Sequence, residues 1–441
     1  MILQLFYQNE KKITDLFILL GLDECYFNQV ARDTKFKKRI RKLTCLDFVY
    51  ALIVNASNSI ISYNTLASSM AEEICKFVSK QALQKAMIRD EFLICLETIY
   101  KDVLLSKLKL KGNKLKGKYK RIVIQDSTII NLPKRLFQYF SGIRNGFVQV
   151  ANARIQFALD ILSNGIIHFS LNSYSDNDIK VADQLPIQEG DLVLRDRGYF
   201  SIVEIIRIIK AKAFFIYRYK HNIRYCDIKT GETIHLLKKL NKTKTTDINV
   251  KLSGINGPIV RLIAMPINSE LANIRRSKLK NESKSYPKEE VLALLSWSIF
   301  ITSIEDENMN YTEIFELYKL RWRIEILFKA MKSHLNLDHI HNVSVNQLKF
   351  IVLAKIVLIV LILQFVYELL IKPLNKLYKK NLSLLKLTTF LINNKNKIAD
   401  LIAIANKKKI KECEILKLLA KYCTYDNRNR NDFAHQFEAI P

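Results

Sequence analysis

The chain has 441 residues, 49% of them hydrophobic, which is enough for two to four domains with cores and excludes a globally disordered protein. Its 70 Lys and Arg against 42 Asp and Glu give a formal net charge of +28; self-repulsion of that size works against compactness, and its usual compensation is a polyanion, most often nucleic acid, although a Lys-, Ile- and Asn-rich compositional bias also lifts the charge. Seven cysteines with no CxxC pair show neither zinc spacing nor a disulfide framework, and free thiols in a reducing compartment fit them best.

The opening segment, MILQLFYQNEKK, is too short in its apolar part and lacks a small-residue cleavage site, so no signal peptide is expected. Residues 1–115 read as a helical, DNA-binding domain, with apolar residues at helical spacing in Leu46 to Ile53 and Phe92 to Leu104. A basic run extends from Arg32 to Lys42. SYNTLASSM followed by VSKQALQKAM reads either as a helix-turn-helix, in which Ser79 caps a second helix carrying Lys80, Gln81, Gln84 and Lys85 outward, or as an ordinary capped pair of surface helices. The Lys-rich stretch 107–121 reads equally as a solvated linker or as a strip that tracks phosphates.

Alternating strands and helices follow over residues 116–220. Arg121 to Ile130 is a strand; Arg154 to Leu162 and Ile166 to Leu171 form a hairpin about an Asn-Gly turn. A helix around Asp178 to Gln184, a short strand at Leu192 to Leu194, a helix at Ile202 to Ala211 and a strand at Ala213 to Tyr217 complete a mixed α/β sheet with helices packed on it. Residues 221–290 read as a strand-rich insertion, with runs at Ile248 to Leu252 and Ile259 to Ala264. Trp297 to Ile301 resumes the main domain, which covers 291–372, and one strongly helical segment spans Tyr311 to His334. Ile351 to Ile371 is apolar enough to suggest a membrane span, but Lys355, Gln364 and Glu368 interrupt it, and a buried core helix ended by Pro373 is expected. The region 373–441 is basic and helical.

Two strands end alike. Ile122-Val123-Ile124-Gln125-Asp126 and Leu192-Val193-Leu194-Arg195-Asp196 are apolar triplets, then one polar residue, then Asp. Strands buried on both faces read as continuous apolar runs, and α/β sheets place their sites at strand ends. If the strands are neighbours the carboxylates converge into the oxygen-rich set that hard divalent cations prefer; singly, each Asp is an ordinary turn or cap residue. On a continuous helix through ELYKLRWRIEILFKAMK, at about 100° per residue, Tyr318, Arg321, Glu325, Lys329 and Lys332 share one face and the apolar residues the other. That face is either a solvated one with an Arg321–Glu325 ion pair or part of a site.

Tyr318-x2-Arg321-x3-Glu325-x6-Lys332 is similar to the YREK signature of the insertion sequence four family of DDE-type transposases. Gln125 to Thr128 (QDST) and Asp196 to Tyr199 (DRGY) resemble that family's first two acidic motifs, in the same order, with 70 residues from Asp126 to Asp196 and 129 from Asp196 to Glu325. The resemblance covers residues 40 to 370 and implies a ribonuclease-H-like α/β core interrupted by a β-rich insertion, with helical regions on both sides. It implies that Asp126, Asp196 and Glu325 are catalytic and hold two Mg²⁺ ions, for which Mn²⁺ substitutes. By the same likeness, Tyr318, Arg321 and Lys332 contact DNA phosphates; Lys329, on the same cationic face of the helix, is a further DNA-binding candidate. Trp297 stacks on a flipped base, or else is a core tryptophan. The expected partners are double-stranded DNA, as terminal inverted repeats and target, and a second copy on paired ends, in the cytoplasm of a bacterium at its nucleoid and without a membrane. Cut-and-paste transposition is the expected activity. A catalytically inactive DNA-binding descendant and a metal-dependent nuclease are the alternatives.

Overall fold

The structure is a computed structural model that describes residues 22–37, 42–105, 119–142, 149–163, 165–176, 178–254, 256–283, 285–305, 309–394 and 414–425. The Lys-rich stretch is therefore outside the described residues from 106 to 118.

Among the described residues five helices come first: α1 (Glu24–Asp33), α2 (Cys45–Asn55), α3 (Tyr63–Ile74), α4 (Lys80–Met87) and α5 (Asp90–Leu105). Their starts follow from local chemistry. Thr44 and Asp47 form a capping box on α2, Ser62 and Thr65 another on α3, and the Ser79 hydroxyl accepts the Ala82 N–H on α4. Lys80, Gln81, Gln84 and Lys85 are exposed, while Leu83 and Met87 are buried.

The sheet runs β3-β2-β1-β4-β5-β9-β8-β7-β6, built from β1 (Arg121–Leu132), β2 (Ala151–Asp160), β3 (Gly165–Ser173), β4 (Asp191–Arg195), β5 (Phe214–Arg218), β6 (Tyr225–Cys226), β7 (Thr246–Leu252), β8 (Ile259–Pro266) and β9 (Trp297–Thr302). β1, β2 and β3 form an antiparallel meander, β4 and β5 run parallel to β1, and β9 pairs antiparallel with both β5 and β8. This is a ribonuclease-H-like sheet extended at one side by the strands of residues 221–290.

Alternate residues of each central strand enter different cores. Ile122, Ile124, Leu192, Leu194 and Ile216 join one, and Val123, Val193, Phe215 and Tyr217 join the other. With both faces covered, an apolar residue is required at every position, which is why these strands read as unbroken apolar runs. The second core is closed by α7 (Ile202–Lys210), which follows α6 (Asp178–Val181) in the chain and buries Ile205 and Ile208.

The insertion holds helices as well as strands: α8 (Leu236–Lys239), α9 (Ser269–Glu282) and α10 (Glu289–Leu294). Helix α9 buries only Ala272, so it has no apolar stripe for a periodicity search to find.

The helical segment after β9 is two helices rather than one, α11 (Tyr311–Lys319) and α12 (Trp322–Leu335). The break is tight: the Leu320 and Arg321 N–H groups bond back only three residues, to Leu317 and Tyr318. Helix α13 (Val345–Leu361) is buried on every side and packs against α2 and α5, as its unbroken apolar composition demands. Among the described residues no helix is long and apolar enough to cross a membrane. Pro373 does not end the apolar segment. A π-type turn at Ile362–Tyr367 leads into α14 (Glu368–Tyr378), and Pro373 lies inside it. Buried Leu370 and Leu374 flank the proline, and their packing outweighs the one missing backbone hydrogen bond. α15 (Leu384–Asn393) and α16 (Glu414–Tyr422) complete the described chain, with α15 packed on α12 and α16 against α14.

Candidate active site

Register brings the two aspartates together. Gln125 of β1 faces Arg195 of β4 in parallel pairing, so Asp126 and Asp196 each directly follow one member of the last paired position of these neighbouring strands. Asp126 continues β1, whereas Asp196 leaves β4 and opens the tight turn Arg197–Tyr199.

Helix α12 packs against β1 and carries Glu325 in its first turn, where the helix dipole favours a carboxylate. Arg321, the residue preceding α12, is 8% exposed. Its fork holds both carboxylates: Nη1 donates to Asp126 Oδ2 at 3.0 Å and Nη2 to Glu325 Oε1 at 2.6 Å. Burial pushes the Asp126 carboxyl up to about 6. The Arg321 charge and the Ser127 N–H pull it down, and the charges of Asp196 and Glu325 push it up again.

Three carboxylates against one guanidinium leave a formal surplus of two negative charges in an all-oxygen donor set, which fits a hard divalent cation. In the present arrangement no three such side chains among the described residues stand close enough to ligate a single ion. The guanidinium lies between Asp126 and Glu325.

The remaining candidates divide. Tyr318 lies on α11 and is 1% exposed, not on an open cationic face. The break between α11 and α12 turns it inward, where its hydroxyl donates to the Arg195 carbonyl at 3.4 Å. Burial first of all pushes its phenol up to about 12. The guanidinium groups of Arg218 and Arg321 lie 5.4 and 5.8 Å from its ring centre. Lys332 is half-buried and donates to the Ile129 carbonyl of β1 at 2.8 Å; burial lowers its ammonium from the ordinary range. Lys329 is exposed one turn beyond Glu325. Trp297 starts β9, which runs antiparallel to β5, so it lies at the sheet end that also carries Asp196. Its ring packs partly on the second core and its Nε1 donates to the Asn241 carbonyl at 2.9 Å.

Motif spacing gave no sign of two networks around this centre. Arg195, fully buried, donates to Glu204 Oε1 at 2.5 Å, to the Tyr217 hydroxyl at 3.3 Å and to the Ala182 carbonyl at 3.0 Å. Arg207 also binds Glu204. On the other side, Asp178 gathers Ser127, Arg154 and Gln156.

A ribonuclease-H-like sheet with aspartates on adjacent parallel strands and a glutamate on a helix packed against them defines the DDE class of polynucleotidyl transferases. A family profile described as the transposase DDE domain matches residues 118–361. The transposase for insertion sequence element IS231F of Bacillus thuringiensis subsp. israelensis is 25% identical over 367 residues, 76% of this chain and 76% of that protein. The transposase for insertion sequence element IS1151 of Clostridium perfringens is also 25% identical, over 362 residues and 76% of each chain. A solved piggyBac transposase synaptic complex with hairpin DNA is a more distant likeness, with a TM-score of 0.44 and 11% identity over 95% of this chain and 86% of that one. The chain belongs to the insertion sequence four family of DDE transposases.

Proposed function

We propose that this transposase cuts and rejoins DNA at terminal inverted repeats, with Asp126, Asp196 and Glu325 as its catalytic carboxylates. The observation that supports the assignment is the place of Asp126 and Asp196 just past paired residues of neighbouring parallel strands, with Glu325 of the packed helix joined to Asp126 through the guanidinium of Arg321. Two Mg²⁺ ions, or Mn²⁺ in their place, would be held by these three side chains and would supply charge stabilisation at the phosphate and activation of the attacking hydroxyl. The protein's own contribution is to hold these carboxylates on β1, at the turn that follows β4, and on α12.

In this reading Arg321 exchanges its carboxylate partners for a DNA phosphate when the end is bound, and Lys332 and Lys329 lie along the same helix for neighbouring phosphates. Tyr318 supports Arg321 from beneath, ring against guanidinium. Trp297 offers a flipped base a partly exposed aromatic surface at the Asp196 end of the sheet. Domain boundaries are proposed at 1–115 for the DNA-binding helices, 116–220 and 291–372 for the two parts of the catalytic core, 221–290 for the insertion and 373–441 for the C-terminal helices. A homodimer on paired ends, acting in the bacterial cytoplasm, completes the proposal. Incubation with Mg²⁺ and DNA carrying the flanking repeats tests it: strand cleavage at the repeat boundary supports the reading, and intact DNA under conditions where the end is bound contradicts it.

A further inference from the structure

A carboxylate outside the candidate triad ties together the two segments that carry Asp126 and Asp196. Oδ1 of Asp178 accepts from Ser127 Oγ at 2.8 Å, Arg154 Nη1 at 2.9 Å and Gln156 Nε2 at 2.9 Å. Ser127 directly follows Asp126, and its own N–H donates to Asp126 Oδ1 at 2.8 Å. Arg154 Nη1 also contacts Ser127 Oγ, at 3.1 Å, and its guanidinium lies 5.1 Å from the ring centre of Tyr174. The other oxygen of Asp178 faces the turn after Asp196: a Cβ on Gly198 would stand 3.2 Å from Oδ2. That turn is also tied to β2, because the Tyr199 hydroxyl donates to Gln156 Oε1. Gln156 is fully buried, so its amide has both ends committed, one to each side of this link.

We propose that Asp178 is a positioning residue for metal binding: it fixes the Asp126–Ser127 segment against the Asp196–Gly198 turn. The proposal rests on the reading of Asp126 and Asp196 as metal-holding carboxylates. A partly exposed ion pair contributes little to stability, and the Arg154–Asp178 pair is 11% and 22% exposed in its side chains. Three donors from two strands on one carboxylate oxygen instead fix an orientation, and groups that orient metal-holding carboxylates typically govern affinity by about 10–100-fold. The glycine of DRGY then has a local reason, since a methyl group there would push against Asp178.

The test is Mn²⁺ uptake by the full chain bound to repeat-end DNA, followed by the electron paramagnetic resonance signal of free Mn²⁺. Asp178→Ala should raise the half-saturating Mn²⁺ concentration about ten-fold with DNA affinity unchanged. Asp178→Asn keeps an acceptor for Ser127 and Gln156 and should stay within about three-fold of wild type. Gly198→Ala should shift uptake in the same direction as Asp178→Ala, and the double variant should be no worse than Asp178→Ala alone. Should Asp178→Ala fail to fold, Asp178→Asn and Gly198→Ala decide the matter between them. Wild-type uptake in Asp178→Ala, or in Gly198→Ala when only that variant folds, overturns the proposal. So does an additive effect of Gly198→Ala. A wild-type complex that takes up no Mn²⁺ would instead remove the underlying reading of the triad.

Discussion

Arg321 donates to the carboxylate of Asp126 at 3.0 Å across 195 positions of sequence. The contact exists because α12 lies on β1, and it makes Arg321 a counter-ion for the carboxylates at the expense of any cation that approaches them. Arg321→Gln removes that competitor. Mn²⁺ binding by the DNA-free protein should then tighten several-fold, measured by calorimetry, while strand cleavage falls because the phosphate contact is lost. Weaker ion binding in the variant would show that Arg321 supports the carboxylates instead of competing for them.

The cationic face of the N-terminal helices should appear in the salt dependence of binding. Lys80 and Lys85 are exposed on a capped helix. A protein that neutralises Z phosphates loses affinity with a log–log slope of about −0.9Z. Replacing both lysines by Ala should make the slope shallower by roughly 1 to 2, read from filter-binding titrations on duplex DNA. An unchanged slope would make this helix an ordinary surface element.

Lys355 sits in the middle of α13, 1% exposed, with its Nζ donating to the carbonyls of Ala56, Asn58 and Leu335. It therefore joins the end of α2 to the end of α12. Lys355→Met leaves those carbonyls unsatisfied and should cost about 3 kcal/mol in denaturant unfolding. Burial pushes the ammonium down to about 7, below its value of about 10.4 in an unfolded chain. Between those values the unfolded chain binds more protons, so this group makes stability rise with pH from about 7 upward and contributes no slope below that. The Met variant should lack that rise relative to wild type. Parallel pH profiles of the two proteins would contradict the assignment.

If a hairpin intermediate forms, the first nick leaves a hydroxyl that must reach the opposite strand, and flipping a base near the end costs a few kcal/mol of unstacking. Trp297→Ala should leave nicking nearly intact and slow hairpin closure, resolved as separate bands in a denaturing-gel time course. Trp297→Phe, which gives up the bond to the Asn241 carbonyl but keeps an aromatic face, should close hairpins at an intermediate rate. Equal loss of both steps in the Ala variant would identify Trp297 as a core residue.

The sheet core was legible because burial on both faces forces apolar residues at consecutive positions, and IVIQD and LVLRD each wrote a central strand and the aspartate at its end into five letters. Spacing alone could not show the break at Leu320 and Arg321. Helical periodicity places Tyr318 beside Glu325, but the tight turn between α11 and α12 sends it inward beneath Arg321. Pro373 misled in the opposite direction, because a local rule for helix ends yields when the residues on either side are deeply buried. Long-range polar contacts such as Arg321 with Asp126, or Asp178 with Ser127, leave no trace in spacing, since the geometry that makes them is the packing of α12 and α6 on the sheet.

The most direct measurement is Mg²⁺-dependent cleavage of repeat-end DNA by Asp126→Ala, Asp196→Ala and Glu325→Ala, each beside an affinity measurement on the same DNA. Phosphoryl transfer depends on the metal ions for charge stabilisation, whereas end binding comes from the cationic surface. All three variants should bind the end like wild type and cleave nothing detectable. Normal cleavage by any one of them would contradict its place in the site.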